Sequence, residues 1–287
     1  MNKGSYRFNV GEFVCICLSD GSYDYPLNAF FKNAPTEKVQ ELLREQNLPT
    51  DHITTPYTYL YVNTGEHHVL VDVGAGGLSP STGKLLENMK VVGIDRMIID
   101  AVLITHAHPD HIGGILDKDK EPVFPNANYY MWKCEWDFWN SDEALNNANE
   151  LIVKFATIVM NTFHPIKKKI VFVEFEDGEK NIFPGVFLVK APGHTPGHMV
   201  VYFSSEGEKL VYIGDTVLYP FHLEHPDWIP IYDVLPDEAA NSKKRIFDMA
   251  AEDNSLVIGQ HFPPFPSLGH IVKKEEGWEW RPIELSE

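Results

Sequence analysis

Along much of the chain the apolar positions alternate with the period of a strand. Residues 6–20 read as a first strand, closed by a turn at Asp20-Gly21. An apolar loop from Pro26 to Phe31 follows, carrying Leu27, Phe30 and Phe31. In TEKVQELLREQ the spacing of Val39, Leu42 and Leu43 makes one helical face, with Thr36 as N-cap. TYLYV and HHVLVDV are two strands joined at Asn63-Thr64-Gly65, with His67 and His68 solvated beside the turn. A helix near Lys84–Lys90 leads into the strand MIIDAVLIT. Between Tyr129 and Phe163 the composition turns aromatic, with Trp132 and Trp136 among its members, and a helix is expected from Ala144 to Met160. Lys167-Lys168-Lys169 reads as a solvated turn. In the second half VFVEFEDG, VFLVKAPGH, MVVYFSS, KLVYIGD and SLVIGQHF read as strands. PDEAANSKKRIFDMAAED is a helix with Ile246, Met249 and Ala250 at helical spacing. No linker interrupts the pattern, so residues 1–287 are expected to pack as one domain, with 129–163 an aromatic and helical insertion near the active site.

Several of these strands run straight into metal-ligand chemistry. Ala101 to Ile115 reads AVLITHAHPDHIGGI: a strand, then three histidines and an aspartate within six positions. His106 and His108 are two apart, which on an extended strand end puts both imidazoles on one side. Asp110 and His111 fall beyond Pro109, where the chain must turn, so they can face a second ion. Gly113 and Gly114 let the backbone pass close to the sheet. Three later strand ends deliver His194, Asp215 and His261. Strand ends converge on one rim, where sites are built. Mixed His and Asp donors suit zinc, iron or manganese better than calcium or magnesium, which take oxygen throughout. Seven donors exceed one tetrahedral ion and suit two.

Composition removes other classes. The balance of 24 basic against 41 acidic residues gives −17, which argues against nucleic acid. No window approaches the roughly 18 apolar residues of a membrane span, and MNKGSYRFNVGEF lacks the apolar run of a secretory signal. Three cysteines cannot build a disulfide framework, and Cys15 and Cys17 read as buried thiols of a strand; a cytoplasmic location is the expectation. After Asp72 the run Gly74-Ala75-Gly76-Gly77 lacks the third glycine of a dinucleotide fingerprint, Ser79 standing there instead.

His106-x-His108-x-Asp110-His111, followed by APGHTPGH, GDT and a late strand-end histidine, resembles the metallo-β-lactamase-fold hydrolases over nearly the whole chain. The resemblance implies an α/β four-layer αββα sandwich with two metals on one edge. It implies that His106, His108 and His194 bind the first metal, that Asp110, His111 and His261 bind the second, and that Asp215 bridges them. His198 and Asp72 would then support the ligands from behind. The implied cofactor is two divalent ions per chain, zinc foremost, with manganese, cobalt or iron as alternatives.

Two ions bridged by a carboxylate can hold a hydroxide that attacks a carbonyl or phosphoryl group, with Asp110 passing the proton to the leaving group. LSDGSYDYPLNAFF, ITTPYTYLYVNTGEHHVLVDVGAG and the run Gln260 to Pro282 resemble the branch holding acyl-homoserine lactone lactonases and methyl-parathion-type hydrolases. The expected activity is opening of an N-acyl-homoserine lactone ring, with a phosphotriesterase or arylesterase as the alternative. A β-lactamase, a thioester hydrolase and a non-catalytic metal-binding module stand further off. Leu27, Phe30, Phe31, Trp132 and Trp136 are expected to wall a pocket for a small substrate with an apolar acyl or aryl part. Some lactonases of the family carry a tyrosine three residues after the bridging Asp; here Leu218 holds that position and Tyr219 follows. Tyr219 and His222 are the candidates to orient substrate. Neither nucleic acid nor membrane is expected as a partner, and exposed aromatics could serve a homodimer contact.

Overall fold

A computed structural model describes residues 4–147 and 149–285. Two seven-stranded sheets follow chain order. The first contains β1 (Ser5–Val10), β2 (Phe13–Pro26), β3 (His52–Asn63), β4 (His68–Val71), β5 (Ala101–Leu103), β6 (Asn128–Trp132) and β7 (Ile170–Val173). Pairing is antiparallel from β1 to β4 and parallel from β4 to β7. The second contains β8 (Glu179–Phe183), β9 (Val186–Lys190), β10 (Met199–Ser205), β11 (Glu208–Tyr212), β12 (Leu256–Ile258), β13 (Leu268–Lys273) and β14 (Trp278–Pro282). There only β11 and β12 run parallel. The helices are α1 (Leu27–Phe30), α2 (Thr36–Glu45), α3 (Leu85–Val91), α4 (Pro109–Ile112), α5 (Lys133–Trp139), α6 (Asp142–Leu145), α7 (Glu150–Phe163), α8 (Phe221–Glu224) and α9 (Pro236–Glu252).

The period-two pattern builds the layers. On β3, Leu60 and Val62 turn into the core between the sheets, while Tyr57, Tyr59 and Tyr61 join a second core under α3, α5 and α7. On β10, Met199, Val201 and Phe203 meet them from the other sheet, and Val200 packs beneath α9 with Ile246, Phe247 and Ala250. Each such fully buried aliphatic side chain contributes roughly 1.5–3 kcal/mol relative to exposure. Helix, sheet, sheet, helix is the expected α/β sandwich. Cys15 and Cys17 lie between the sheets, and burial pushes the Cys15 thiol up to about 12, so both remain inert. No helix among the described residues is long and apolar enough to cross a membrane.

Local boundaries differ from the sequence pattern where polar groups intervene. Residues 6–20 are two strands, because the chain turns at Gly11 with φ +53. Asp20 is therefore no turn residue. It sits in a bulge of β2, and its carboxylate accepts the N–H groups of Ala75, Gly83 and Leu85. MIIDAVLIT is a strand only at Ala101–Leu103, since the Asp95 side chain accepts from Met97 N–H and caps a 3-10 turn at Arg96–Ile98. The helix expected from Ala144 to Met160 is broken: α6 ends at Leu145 and α7 begins after Asn149, whose side chain caps Leu151. Ala148 lies outside the described residues. Thr36 is the first helical residue, with Pro35 as cap, and Leu27–Phe30 form a short helix. The pattern did not mark β6, β8, β13 or β14.

Candidate dinuclear metal centre

The four donors of the opening motif leave β5 on two short segments. His106 and His108 lie in the extended stretch after the strand, and His108 caps α4, whose single turn carries Asp110 and His111. That turn can approach the chain after Asp72 because residues 113 and 114 are glycines: a Cβ on Gly113 would meet the Ala75 carbonyl, and one on Gly114 the Val73 carbonyl. His194 comes from the loop between β9 and β10, Asp215 from the turn after β11, and His261 from the turn after β12. The seven sequence-predicted donors meet in two groups that share Asp215. Within each group the donor atoms lie within 4.8 Å of one another.

Asp215 divides its carboxylate between the groups. Its Oδ2 stands 3.3 Å from His194 Nε2 and 3.8 Å from His106 Nε2. Its Oδ1 stands 3.4 Å from both His111 Nε2 and His261 Nε2. Asp110 Oδ2 is 3.4 Å from His261 Nε2. These separations match donors sharing an ion: tetrahedral ligands about 2.0–2.2 Å from zinc stand about 3.4 Å apart. His106 Nε2, His111 Nε2 and Asp215 Oδ1 are buried without a hydrogen-bond partner, an expensive arrangement unless a cation satisfies them. The residues fit two divalent ions.

Electrostatics agree with that use. Burial, reinforced by neighbouring histidines, holds His106 and His108 well below the usual imidazole range, in the neutral form a metal needs. For His194 and His261 burial is outweighed by carboxylates, led by Asp215, which raise each to about 9. Asp215, Asp110 and Asp72 likewise overcome burial and raise His111 well above its usual range. Against burial, His111 and His261 hold Asp215 and Asp110 low.

The ligands are braced from behind. Asp72, with φ +56, accepts from Thr105 N–H at 2.8 Å, Thr105 Oγ1 at 2.7 Å and His111 Nδ1 at 2.8 Å. His198 Nε2 accepts the Asp215 N–H at 3.0 Å, and burial keeps that imidazole down at about 3 and neutral. Two braces escaped the sequence reading. Asp233 Oδ1 lies 2.9 Å from His194 Nδ1, and its Oδ2 takes a 3.4 Å bond from the buried Lys243. Glu135 receives Ala107 N–H, Trp139 Nε1, Thr195 Oγ1 and Gly197 N–H at 2.7–3.0 Å, tying both loops that carry the first donor group. Its spacing from Trp139 at i+4 was the only available signal.

A cavity of about 360 Å³ opens above the donors, with His108, Asp110, His194, Asp215 and His261 on its floor. Tyr25, Phe30, Tyr57, Leu151, Phe155, Leu218 and Tyr232 supply its walls, and Lys154 is the one lysine or arginine among the described residues lining it. Of the expected wall residues, Phe30 lines it. Leu27 and Phe31 instead pack into the cluster of α1, α2 and α8. Tyr219 turns into that cluster against Phe31 and Phe221, its ring centroids 6.0 and 4.9 Å away. His222 is buried between the carbonyls of Tyr219 and Phe30, so it braces backbone and does not reach the cavity. Trp132 packs on Phe175 beneath Lys190, and Trp136 on Phe172 beneath Lys167, both outside the cavity.

Paired mixed sheets with a two-ion donor set on one rim define a dinuclear-metal sandwich protein. Residues 54–261 match the Metallo-beta-lactamase superfamily, and the chain belongs to it. The chain is similar over 99% of both chains to AidC, a dizinc quorum-quenching lactonase in complex with a product, N-hexanoyl-L-homoserine, at 30% identity and TM-score 0.92. Hydrolase AbOPH of the beta lactamase superfamily aligns over 100% of both chains at 27% identity and TM-score 0.91. A hydroxyacylglutathione hydrolase of Photobacterium profundum is 29% identical over 178 residues, 61% of this chain and 52% of that protein. The chain spans about half or less of the first curated relatives it matches, 38% and 52% of their lengths.

Proposed function

We propose that the protein is a two-metal hydrolase that opens the ring of N-acyl-homoserine lactones. One observation carries the reading: the paired donor groups open onto the floor of a cavity of about 360 Å³ whose walls are mostly aromatic and aliphatic. Such a cavity takes a small electrophile at its base and an acyl chain along its walls. The full-length likeness to a lactonase supports the same choice. A glutathione thioester fits less well, because its two carboxylates would meet one lysine, Lys154, in a chain of charge −17.

His106, His108 and His194 would hold one ion, Asp110, His111 and His261 the other, and Asp215 both, zinc being the ion this donor mixture suits best. When bound, the ions supply Lewis acidity, drawing water toward ionisation near neutral pH and polarising the carbonyl oxygen. Water oxygen adds to the lactone carbonyl carbon, the ring C–O bond breaks, and the products are a carboxylate and an alcohol. Asp110 carries the proton. Its Oδ2 is turned to His111 and His261, and its side chain is 14% exposed at the cavity floor, so the other oxygen can take a proton from water and deliver it to the leaving alkoxide. Asp233 and Asp72 fix the imidazole tautomers of His194 and His111 by occupying Nδ1. Apolar walls exclude bulk water. We further take the chain as one domain, and three unpaired cysteines agree with a cytoplasmic setting.

A turnover panel on metal-analysed protein tests the reading, with lactones of graded chain length set against a phosphotriester. Rapid lactone opening with two ions per chain is expected. Fast phosphotriester cleavage without lactone turnover would replace it with the alternative activity.

A further inference from the structure

Four phenols line the cavity, those of Tyr23, Tyr25, Tyr57 and Tyr232, and two of them are paired. Tyr25, near the end of β2, and Tyr57, on β3, hydrogen-bond to each other through their hydroxyls, and neither hydroxyl has another protein partner among the described residues. Two phenols bring two O–H protons, and the bond between them uses one. The second is free to donate, and both residues line the cavity.

Placement singles out Tyr57. On β3 it shares a face with Tyr59, whose hydroxyl donates to the Asp110 carbonyl at 2.5 Å. One period further along, the Tyr57 ring sits edge-on to His261 with centroids 4.9 Å apart, against 6.5 Å for Tyr25. Tyr57 is 1% exposed, so its ring cannot swing away. A phenol's ordinary pKa of about 10 keeps both protonated as donors at neutral pH. Among the described residues the loop after Asp215 presents no hydroxyl to the cavity: Leu218 faces it, Tyr219 faces the core, and the buried Thr216 does not line it.

We infer that Tyr57, oriented by Tyr25, donates its hydroxyl to the carbonyl oxygen of the substrate as that oxygen gains charge. Tyr57 is then a catalytic residue and Tyr25 a positioning residue. A fixed donor aimed at developing charge strengthens as the carbonyl becomes tetrahedral, so it acts on kcat more than on KM. The inference rests on the carbonyl-hydrolase reading above but not on the lactone in particular. A thioester or an aryl ester presents the same oxygen.

The test compares Tyr57→Phe, Tyr25→Phe and the double variant with wild type, each metal-analysed. Tyr57→Phe should lower kcat about hundredfold with KM changed less than about threefold, and should keep two ions per chain. Tyr25→Phe should lower kcat about five- to tenfold, and the double variant should be no worse than Tyr57→Phe, because the two act as one unit. A phosphonate analogue carrying a tetrahedral anionic centre gives a readout that packing alone would not move. Tyr57→Phe should weaken its binding about as much as it lowers kcat, while binding of the open-ring product stays nearly unchanged. A kcat and a phosphonate affinity both within about twofold of wild type would overturn the assignment. Should Tyr57→Phe fail to fold, Tyr25→Phe carries the test, and unchanged kcat and phosphonate affinity there would overturn it equally. Absence of lactone turnover in wild type would defeat the lactonase reading alone; the phosphonate comparison needs no turnover and still decides the role of Tyr57.

Discussion

The two halves of the donor cluster are braced in different ways. Behind His106, His108 and His194 stand Glu135, which accepts four bonds from two loops and a helix, and the buried Asp233–Lys243 pair. Behind Asp110, His111 and His261 stand Asp72 and the Tyr59 hydroxyl, and His261 Nδ1 is left without a partner. The first half is a set of imidazoles braced by Asp233 directly on His194 and by Glu135 through the loops that carry them. The second holds its own carboxylate and stands beside the phenols of the cavity wall. On the proposed reading one half would serve retention and the other chemistry, and chelation should remove the second ion first.

Substitutions can break that contrast. The largest effect is expected from Asp110→Asn, which keeps the shape but removes the proton carrier. Its kcat should fall about 10²–10⁴-fold even at saturating divalent ion, with the second ion, to which Asp110 would be a ligand, held more weakly, as steady-state kinetics with metal analysis would report. A near-native rate would refute the role.

Asp233→Asn comes next. It should weaken the first ion about 10- to 100-fold in a chelator competition, leave the second nearly unchanged, and destabilise the fold by about 3–5 kcal/mol by stranding Lys243. The double variant Asp233→Asn with Lys243→Met should recover much of the stability and none of the metal affinity. Equal weakening of both ions would contradict the contrast.

Glu135→Gln should lower stability by about 2–3 kcal/mol and weaken the same ion, because two N–H donors, an indole and a hydroxyl lose a charged acceptor. Denaturant titration of the metal-free chain separates that loss from metal affinity.

A further effect concerns pH. In the metal-free chain His194 and His261 are raised to about 9 from an unfolded value of about 6.5. The stability they contribute is fully present below pH 6.5 and is lost as pH rises through about 9. The depressed His106 and His108 add nothing in that window, being neutral in both states. The metal-free chain should therefore weaken between pH 6.5 and 9, whereas metal uptake, which must displace those protons, should strengthen. Thermal melts with and without chelator would detect the crossing trends.

The metal donors were legible because the chemistry restricts residue type and the local spacing restricts direction. A period of two, a proline and two glycines sufficed for the opening motif. The braces and walls were not legible, because they depend on which side of a helix meets the loops. Glu135 and Trp136 are adjacent, and the roughly 100° between successive helical residues sends Glu135 inward to the donors and Trp136 outward to Phe172. The tryptophan-rich segment thus advertised its aromatics while its carboxylate did the positioning. Leu151 and Phe155, at i and i+4 on α7, line the cavity where Trp132 and Trp136 were expected. Alternation predicted most strands, but polar caps at Asp95 and Asn149 and the bulge at Asp20 set boundaries that alternation does not carry.

The most direct measurement is hydrolysis of an N-acyl-homoserine lactone by protein of known metal content. The account predicts two divalent ions per chain, ring opening that disappears on chelation and returns with added ion, and rates that rise with acyl length until about 360 Å³ is filled. A chain that binds fewer than two ions, or that binds two and opens no lactone, would contradict it.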